Sequence, residues 1–257
     1  MQTAGEPFQS NGETTVPKAL PGLPASPPRR LRGWPVLLPV FFCWLVAFLV
    51  ALPLDRPVAS WVRSSGLSRE VEGKWWAEAI KAPGDFRFTV VVAVLLWLTR
   101  RIGWHQGVFI VLAGVVSGIN GLFKWMVGRT RPFKLPLHEL HPFYFEPFRG
   151  GLRHFLDQKD LCFPSGHAFT AFALAVAVLL VWRRGAWIFL TLAVLVGMER
   201  VAENAHYLSD VVGGVGFSIL FVALLHRVMS GWMNSIEKNG FPIRLSPVKP
   251  ASGTVRT

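Results

Sequence analysis

The chain has 257 residues, 51% hydrophobic and only 16% charged, and its apolar residues come in long blocks, which excludes an ordinary soluble domain. A net charge of +12 fits a membrane protein with Lys- and Arg-rich cytoplasmic loops, and secondarily an attraction to anionic lipid or phosphate. Nucleic-acid binding is disfavoured, because no basic-aromatic stripe stands clear of the apolar blocks.

Residues 1–33 are rich in Pro, Gly, Ser and Thr without periodicity, and read as a disordered cytoplasmic tail. No secretory leader fits there, and Arg29, Arg30 and Arg32 hold the N-terminus inside. Apolar blocks follow at about Trp34–Pro53, Phe86–Leu98, Gly107–Val127, Ala168–Trp182, Ala186–Met198 and Val211–Val228. A crossing needs about 20 helical residues, so the second, fourth and fifth blocks must lengthen into their flanks. There Arg87 and Arg183 can snorkel, while Glu199 and Arg200 can face a polar interior. The predicted fold is all-α, a polytopic membrane protein with about six transmembrane helices and interfacial helices in the outer loops. Its predicted parts are the tail at 1–33, a membrane domain at 34–230 and a basic C-terminal tail at 231–257.

With the N-terminus inside, Arg100-Arg101, Arg183-Arg184 and Arg227 fall on the cytoplasmic side, as charge asymmetry requires. Residues 54–85, 128–167 and 199–210 then share the outer side. Trp34, Trp97, Trp104, Trp125, Trp182, Trp187 and Trp232 cluster near predicted span ends. Trp61, Trp75 and Trp76 suggest a helix lying in the interface, and residues 133–163 around Gly150-Gly151 a lid or lateral entrance. A plain connector accounts for either segment equally well. Cys43 and Cys162 are expected to stay unbridged, and neither sits in a metal-spaced cluster.

Three polar motifs fall on that outer side. The first, Lys124-Trp-Met-Val-Gly-Arg-Thr-Arg-Pro132, ends the third span, and Pro132 pushes Arg131 toward extended geometry. Outer loops should be poor in cations, yet Lys124, Arg129, Arg131 and Lys134 crowd one short stretch, which favours an anion site over snorkelling. The second is Phe163-Pro-Ser-Gly-His-Ala168. Ser165 is placed as a helix N-cap, Gly166 permits close approach to the backbone, and the helix start can cradle an anion beside His167. Alone, this motif is equally a capped helix end. The third is Glu199-Arg-Val-Ala-Glu-Asn-Ala-His-Tyr-Leu-Ser-Asp210, where His206 and Asp210, four apart, share a face if the stretch is helical. That pair alone is an even match for an interfacial accident, but Arg200 at a short span's end needs a partner. A tetrahedral phosphoryl group needs such an assembly of equatorial donors, an in-line nucleophile and an opposing acid.

Lys-x6-Arg-Pro, Pro-Ser-Gly-His and Arg-x5-His-x3-Asp, in this order, resemble the type 2 phosphatidic acid phosphatase superfamily across roughly residues 30–230. The resemblance implies a membrane phosphatase needing no metal or other cofactor, acting on a lipid phosphate or pyrophosphate. It implies that His206 is the nucleophile, that Asp210 orients it, and that His167 is the acid and base. Lys124, Arg131, Ser165, Gly166 and Arg200 would hold the phosphoryl oxygens. One position departs: the family usually has Ser before that Arg, and here it is Glu199. The expected location is a bacterial inner membrane with the site facing the periplasm; an internal eukaryotic membrane with a lumenal site would look similar.

A lipid phosphotransferase that passes the phosphoryl group from His206 to an acceptor lipid needs the same residues. A carrier or flippase without catalysis is a reading from another class, and six predicted spans argue against a haloperoxidase. His138, His141 and His154 read as interfacial residues rather than ligands, and His105 and His226 as cytoplasmic surface. Gly213, Gly214 and Gly216 read as small-residue helix packing, and Asn120 as a hydrogen bond between helices.

Overall fold

The computed structural model describes residues 34–136, 138, 140, 145–148 and 159–239. The tail at 1–33, the chain beyond residue 239, the Gly150-Gly151 segment, His141 and His154 lie outside them. In chain order the helices are α1 (Trp34–Ser64), α2 (Leu67–Val71), α3 (Trp75–Lys81), α4 (Phe86–Leu98), α5 (Trp104–Val116), α6 (Asn120–Val127), α7 (Gly166–Val181), α8 (Ala186–Ala202) and α9 (Leu208–Asn239). Short 3-10 turns join α3 to α4 at Ala82–Gly84 and α5 to α6 at Ser117–Ile119, and a third covers Pro132–Lys134. Each predicted apolar block is helical. Among the described residues three stretches are long and apolar enough to cross a bilayer, Leu38–Ser64, Trp104–Val127 and Leu208–Ile236, with Phe86–Leu98 and Gly166–Val181 as shorter apolar helices. The chain is an all-α membrane protein.

The first helix corrects an expected boundary. It was predicted to stop at Pro53 but runs to Ser64, through Pro39, Pro53 and Pro57. Membrane helices tolerate proline where neighbouring groups satisfy the freed backbone, and the charge that follows Pro53 is not at a surface. Asp55 is fully buried and paired with Arg129, so no solvated turn is needed there. The segment predicted as an interfacial helix becomes the end of α1 plus α2 and α3, with Trp61 and Trp75 strongly exposed.

Helix α7 is the hub, packing against α8, α9 and α5 and more lightly against α4 and α6. Its sequence explains this: Ala168, Ala171, Ala173, Ala175 and Ala177 are all buried, and small side chains let backbones approach closely. Glycines of α9 extend the same logic. A Cβ on Gly214 would lie 2.9 Å from the Ser165 carbonyl, and one on Gly213 2.7 Å from the Phe163 ring. Gly216 seats the Trp44 indole, whose Nε1 donates to the Val212 carbonyl at 2.8 Å. The reading of these glycines as close-packing positions holds.

The bundle has two distinct ends. At one, Arg101 lies over the Trp182 ring, and Trp104 meets Trp232. His105 is buried there beside Trp104, contrary to its expected surface position, and His226 is partly covered against Phe109. At the other end converge the C-terminal ends of α1, α6 and α8 and the N-terminal ends of α4, α7 and α9. All three polar motifs are at this second end.

Candidate active site

The first motif enters through the end of α6. Gly128 closes the helix with φ +65° and donates its N–H to the Lys124 carbonyl at 2.8 Å. A Cβ there would lie 1.7 Å from the Glu146 carbonyl oxygen, so both conformation and space require glycine. The chain then runs extended beside residues 160–162. Arg131 donates its backbone N–H to the Asp160 carbonyl at 3.0 Å, and Cys162 donates its own to the Arg129 carbonyl at 2.9 Å. This pairing aligns the first motif with the approach to the second. Both cysteines are free thiols, as expected.

At the head of α7, Ser165 takes the N-cap position without a side-chain capping bond. Its hydroxyl is buried and lacks a hydrogen-bond partner, while its backbone N–H donates to the Asp210 carbonyl at 3.0 Å. His167 follows in the first turn, with Gly84 pressed against its backbone, where a Cβ would approach the His167 Cβ to 2.7 Å. The 3-10 turn after α3 therefore fixes where His167 stands. The positive charges of Arg200, Lys81, Lys124 and Arg131 all bear on that imidazole.

The third motif is not one helix, which corrects the shared-face expectation for His206 and Asp210. α8 ends at Ala202, the chain turns through Asn204 with φ +58°, and α9 begins at Leu208. His206 sits in the turn, its N–H donating to the Arg200 carbonyl at 3.3 Å, while Asp210 is in the first turn of α9. The two still meet: His206 Nδ1 lies 3.7 Å from Asp210 Oδ2, a close electrostatic approach rather than a full hydrogen bond. The Asp210 oxygens have shorter partners, with Oδ1 accepting from Arg129 Nη1 at 2.5 Å and Oδ2 from the Tyr207 N–H at 2.8 Å. Burial holds the His206 imidazole down to about pKa 3 despite that carboxylate, so it is neutral at physiological pH.

Four cations serve the site differently. Arg129 and Arg200 are committed to carboxylates. Arg129 bridges Asp210 to Asp55 of α1 (Nη2–Oδ2 2.7 Å), its Nη1 also donates to Ser209 Oγ at 2.7 Å, and its guanidinium lies 4.1 Å from the Tyr207 ring centre. Those two carboxylates hold Arg129 protonated more firmly than an isolated guanidinium, against the cost of burial. Arg200 is gripped through Nε and Nη2 by both oxygens of Glu199 at 2.5 Å, and by Glu203 at 2.5 Å. Glu199 thus holds Arg200 in place, and none of these contacts uses Nη1. Lys124 and Arg131, in contrast, make no side-chain hydrogen bond or ion pair among the described residues. Lys124 is nevertheless 92% buried (8% exposed), and burial with the neighbouring Arg200 charge makes Arg131 a weaker base than usual. Two uncompensated cations beside a neutral imidazole are costly unless an anion joins them.

Lys124, Gly166 and His167 line one side of an open cavity of about 630 Å³ between α4, α5, α6 and α7. Asn120 lines it too. Its Oδ1 is buried without a partner among the described residues, and the interhelical hydrogen bond expected of Asn120 is not made there. Hence the structure brings together all eight residues singled out in the sequence: His206, His167, Asp210, Lys124, Arg131, Ser165, Gly166 and Arg200. It adds Asp55, Ser209 and Arg63, and Arg129, read from the sequence as a cation of the same stretch, joins them as the partner of Asp55 and Asp210. Arg63, at the end of α1, donates to the Leu135 carbonyl at 2.6 Å and to that of Pro132, clamping the first motif. Asp55 was masked by the expected helix end at Pro53, and Ser209 and Arg63 had no signal, because their partners lie 69 or more positions away.

The fold and the cluster define a class: an integral membrane protein with a buried, cation-rich histidine site at one end of a helix bundle. Residues 102–234, just over half of the chain, match the PAP2 superfamily, and the chain belongs to it. It is a membrane lipid phosphate phosphatase of that superfamily, whose members are metal-independent enzymes of the acid phosphatase type. The chain is 29% identical over 220 residues to the lipid A 1-phosphatase of Rhizobium etli, covering 77% of this chain and 89% of that protein. It is 29% identical over 189 residues to the lipid A 1-phosphatase of Rhizobium johnstonii, covering 66% and 74%. Among solved structures it is similar to a transmembrane PAP2 type phosphatidylglycerolphosphate phosphatase from Bacillus subtilis. That similarity has 21% identity and a TM-score of 0.46, covering 76% of this chain and 96% of the other.

Proposed function

We propose that this chain hydrolyses a lipid phosphate monoester or pyrophosphate through a phosphohistidine on His206. The observation that carries the reading is the pair of unpartnered cations, Lys124 and Arg131, beside a buried and neutral His206. With Nδ1 turned to Asp210, Nε2 is left to attack phosphorus. The P–N bond forms as the P–O bond to the lipid breaks, and His167 gives its proton to the departing oxygen. Asp210 stabilises the imidazolium that develops, and Arg129 keeps that carboxylate ionised and fixed. Lys124, Arg131, Arg200, the Ser165 hydroxyl and the amides at the start of α7, Gly166 included, hold the equatorial oxygens. In the second step His167 takes a proton from water, which attacks phosphorus and releases phosphate from His206.

The domain spans residues 34–230 and crosses the bilayer six times, with α2 and α3 at the outer interface. The site then faces the periplasm of a bacterial inner membrane. The lipid A 1-phosphatases among its relatives support a saccharolipid phosphate as one substrate to try first.

Phosphate release by the purified protein, measured across a panel of lipid phosphates and pyrophosphates, tests the reading. His206→Ala should lower release by about a thousandfold or more, while expression and membrane insertion persist. Wild-type enzyme quenched in turnover should carry acid-labile phosphate on His206. Turnover abolished by EDTA and restored by zinc or magnesium would sink the mechanism. Lipid product without free phosphate, in the presence of an acceptor lipid, would point to phosphotransfer.

A further inference from the structure

The cavity beside the phosphate-binding cations contains more than a phosphate needs. Asn120 and Lys124 stand one helical turn apart on α6, on the same face, and both line the cavity. Asn120 is 8% exposed, and its Oδ1 is buried without a hydrogen-bond partner among the described residues. Gly166 backs the other side of the amide, where a Cβ would meet Asn120 Nδ2 at 2.7 Å, so the amide is held against the start of α7. A buried carbonyl kept unpaired among membrane helices is expensive, and the family's phosphoryl chemistry does not use it. Next to it the helix is interrupted at Ser117–Ile119, Gly118 has open space at its Cβ position, and Ser117 and Thr170 share a hydroxyl hydrogen bond of 2.8 Å at the cavity wall. Phe86 and Val115, exposed on the apolar flank, form the rim.

We infer that Asn120 is the specificity residue for the leaving group, accepting a hydrogen bond from a hydroxyl or amide N–H on the carbon adjacent to the phosphoester carbon. This rests on the phosphohistidine reading, since it takes Lys124 as the phosphate anchor. With the phosphoryl group on Lys124 and Arg131, the first atoms of the leaving group lie toward Asn120. Glycerol and amino-sugar phosphates carry such a donor; polyprenyl and plain alkyl phosphates do not. The favoured substrate class is therefore a lipid phosphate whose phosphorylated unit is a glycerol with a free 2-hydroxyl or an amino sugar, while a 2-acylated glycerol phosphate lacks the donor. Ser117 and Thr170 extend the polar wall for further hydroxyls, and the Phe86–Val115 rim admits the chain from the bilayer side.

The test uses the full chain in detergent and two probes: a monoacylglycerol 3-phosphate with a free 2-hydroxyl, and an n-alkyl phosphate of matched length. The wild type should favour the hydroxylated probe by about tenfold or more in kcat/KM, the scale of one hydrogen bond to a buried partner. Asn120→Leu should lower that ratio toward one, and Asn120→Ser, which keeps an acceptor, should retain part of it. Equal kcat/KM for the two probes in the wild type overturns the inference while leaving the phosphatase reading intact. So does an equal loss on both probes in a folded Asn120→Leu protein. Failure to release phosphate from either probe or from any other lipid phosphate overturns both readings.

Discussion

At the residue scale, the buried charges divide into those that pair with the protein and those that wait for an anion. Arg129, Asp55 and Asp210 form a buried ion-pair cluster, with exposures of 1%, 0% and 0%. Removing Asp55 strips Arg129 of one of its two buried carboxylates, and breaking a buried pair costs about 3–5 kcal/mol. Asp55→Ala should therefore lower the detergent melting temperature sharply, although Asp55 touches no substrate. The double variant Asp55→Ala/Arg129→Met should lose less than the sum of the singles, because the two share one interaction. His206 gives a pH dependence of known sign. Its folded pKa, about 3, lies below the ordinary imidazole value, so protons bind the unfolded chain more readily. The stability from its neutral burial is complete above about pH 6.5 and is lost as pH falls from there toward 3. Melting temperature should decline over that window, and His206→Gln should flatten the decline. A decline of unchanged slope in His206→Gln would assign it to other groups.

At the element scale, the site depends on where helices end. α6 stops at Gly128 with Lys124 just inside and Arg131 just outside, and the Glu146 carbonyl occupies the space a side chain would take. Gly128→Ala combines strain at positive φ with that clash. It should destabilise the fold by more than about 1 kcal/mol and displace both cations, lowering kcat/KM for phosphate esters. Full activity at wild-type stability would mean the α6 terminus is not what sets the cation positions. The element scale also shows where the sequence could be read and where it could not. Helix existence was legible, since each apolar block is helical, because long apolar runs have no other stable state in a bilayer. Helix ends were less so. Pro53 looked like a stop for α1, but Asp55 pairs with Arg129, 74 positions away, and the helix continues. His206 and Asp210 were legible as partners on the condition of a shared helix, and they meet without one, because an i,i+4 spacing is also spanned by a turn entering a helix.

At the scale of the whole molecule, alternate helix ends collect the Arg100-Arg101 and Arg183-Arg184 loops at one face and the three motifs at the other. Charge asymmetry predicts that the Arg100-Arg101 and Arg183-Arg184 face lies inside, since Lys and Arg in short loops stay there. A cysteine introduced at Arg184 in a Cys43→Ser background should react with an impermeant maleimide only after the membrane is opened. One introduced at Lys159, beside the site, should react in intact spheroplasts. The reverse pattern would turn the site toward the cytoplasm. In the proposed orientation Lys124 and Arg131 lie on the outer face against the charge rule, as expected of cations placed for phosphate oxygens rather than solvent.

The sequence by itself determined an all-α membrane chain and the three motifs, because both signals are local. Twenty apolar residues or a Pro-Ser-Gly-His run carry their physics in neighbouring positions. Only the tertiary structure decided how the charges are shared. That Arg129 belongs to Asp55 and Asp210, that Glu199 grips Arg200, and that Asn120 is left with an unpaired carbonyl beside Lys124 are facts of distance. An ion pair or an unpaired acceptor is defined by what stands within a few ångströms in space, and helix packing sets that across separations no local pattern records.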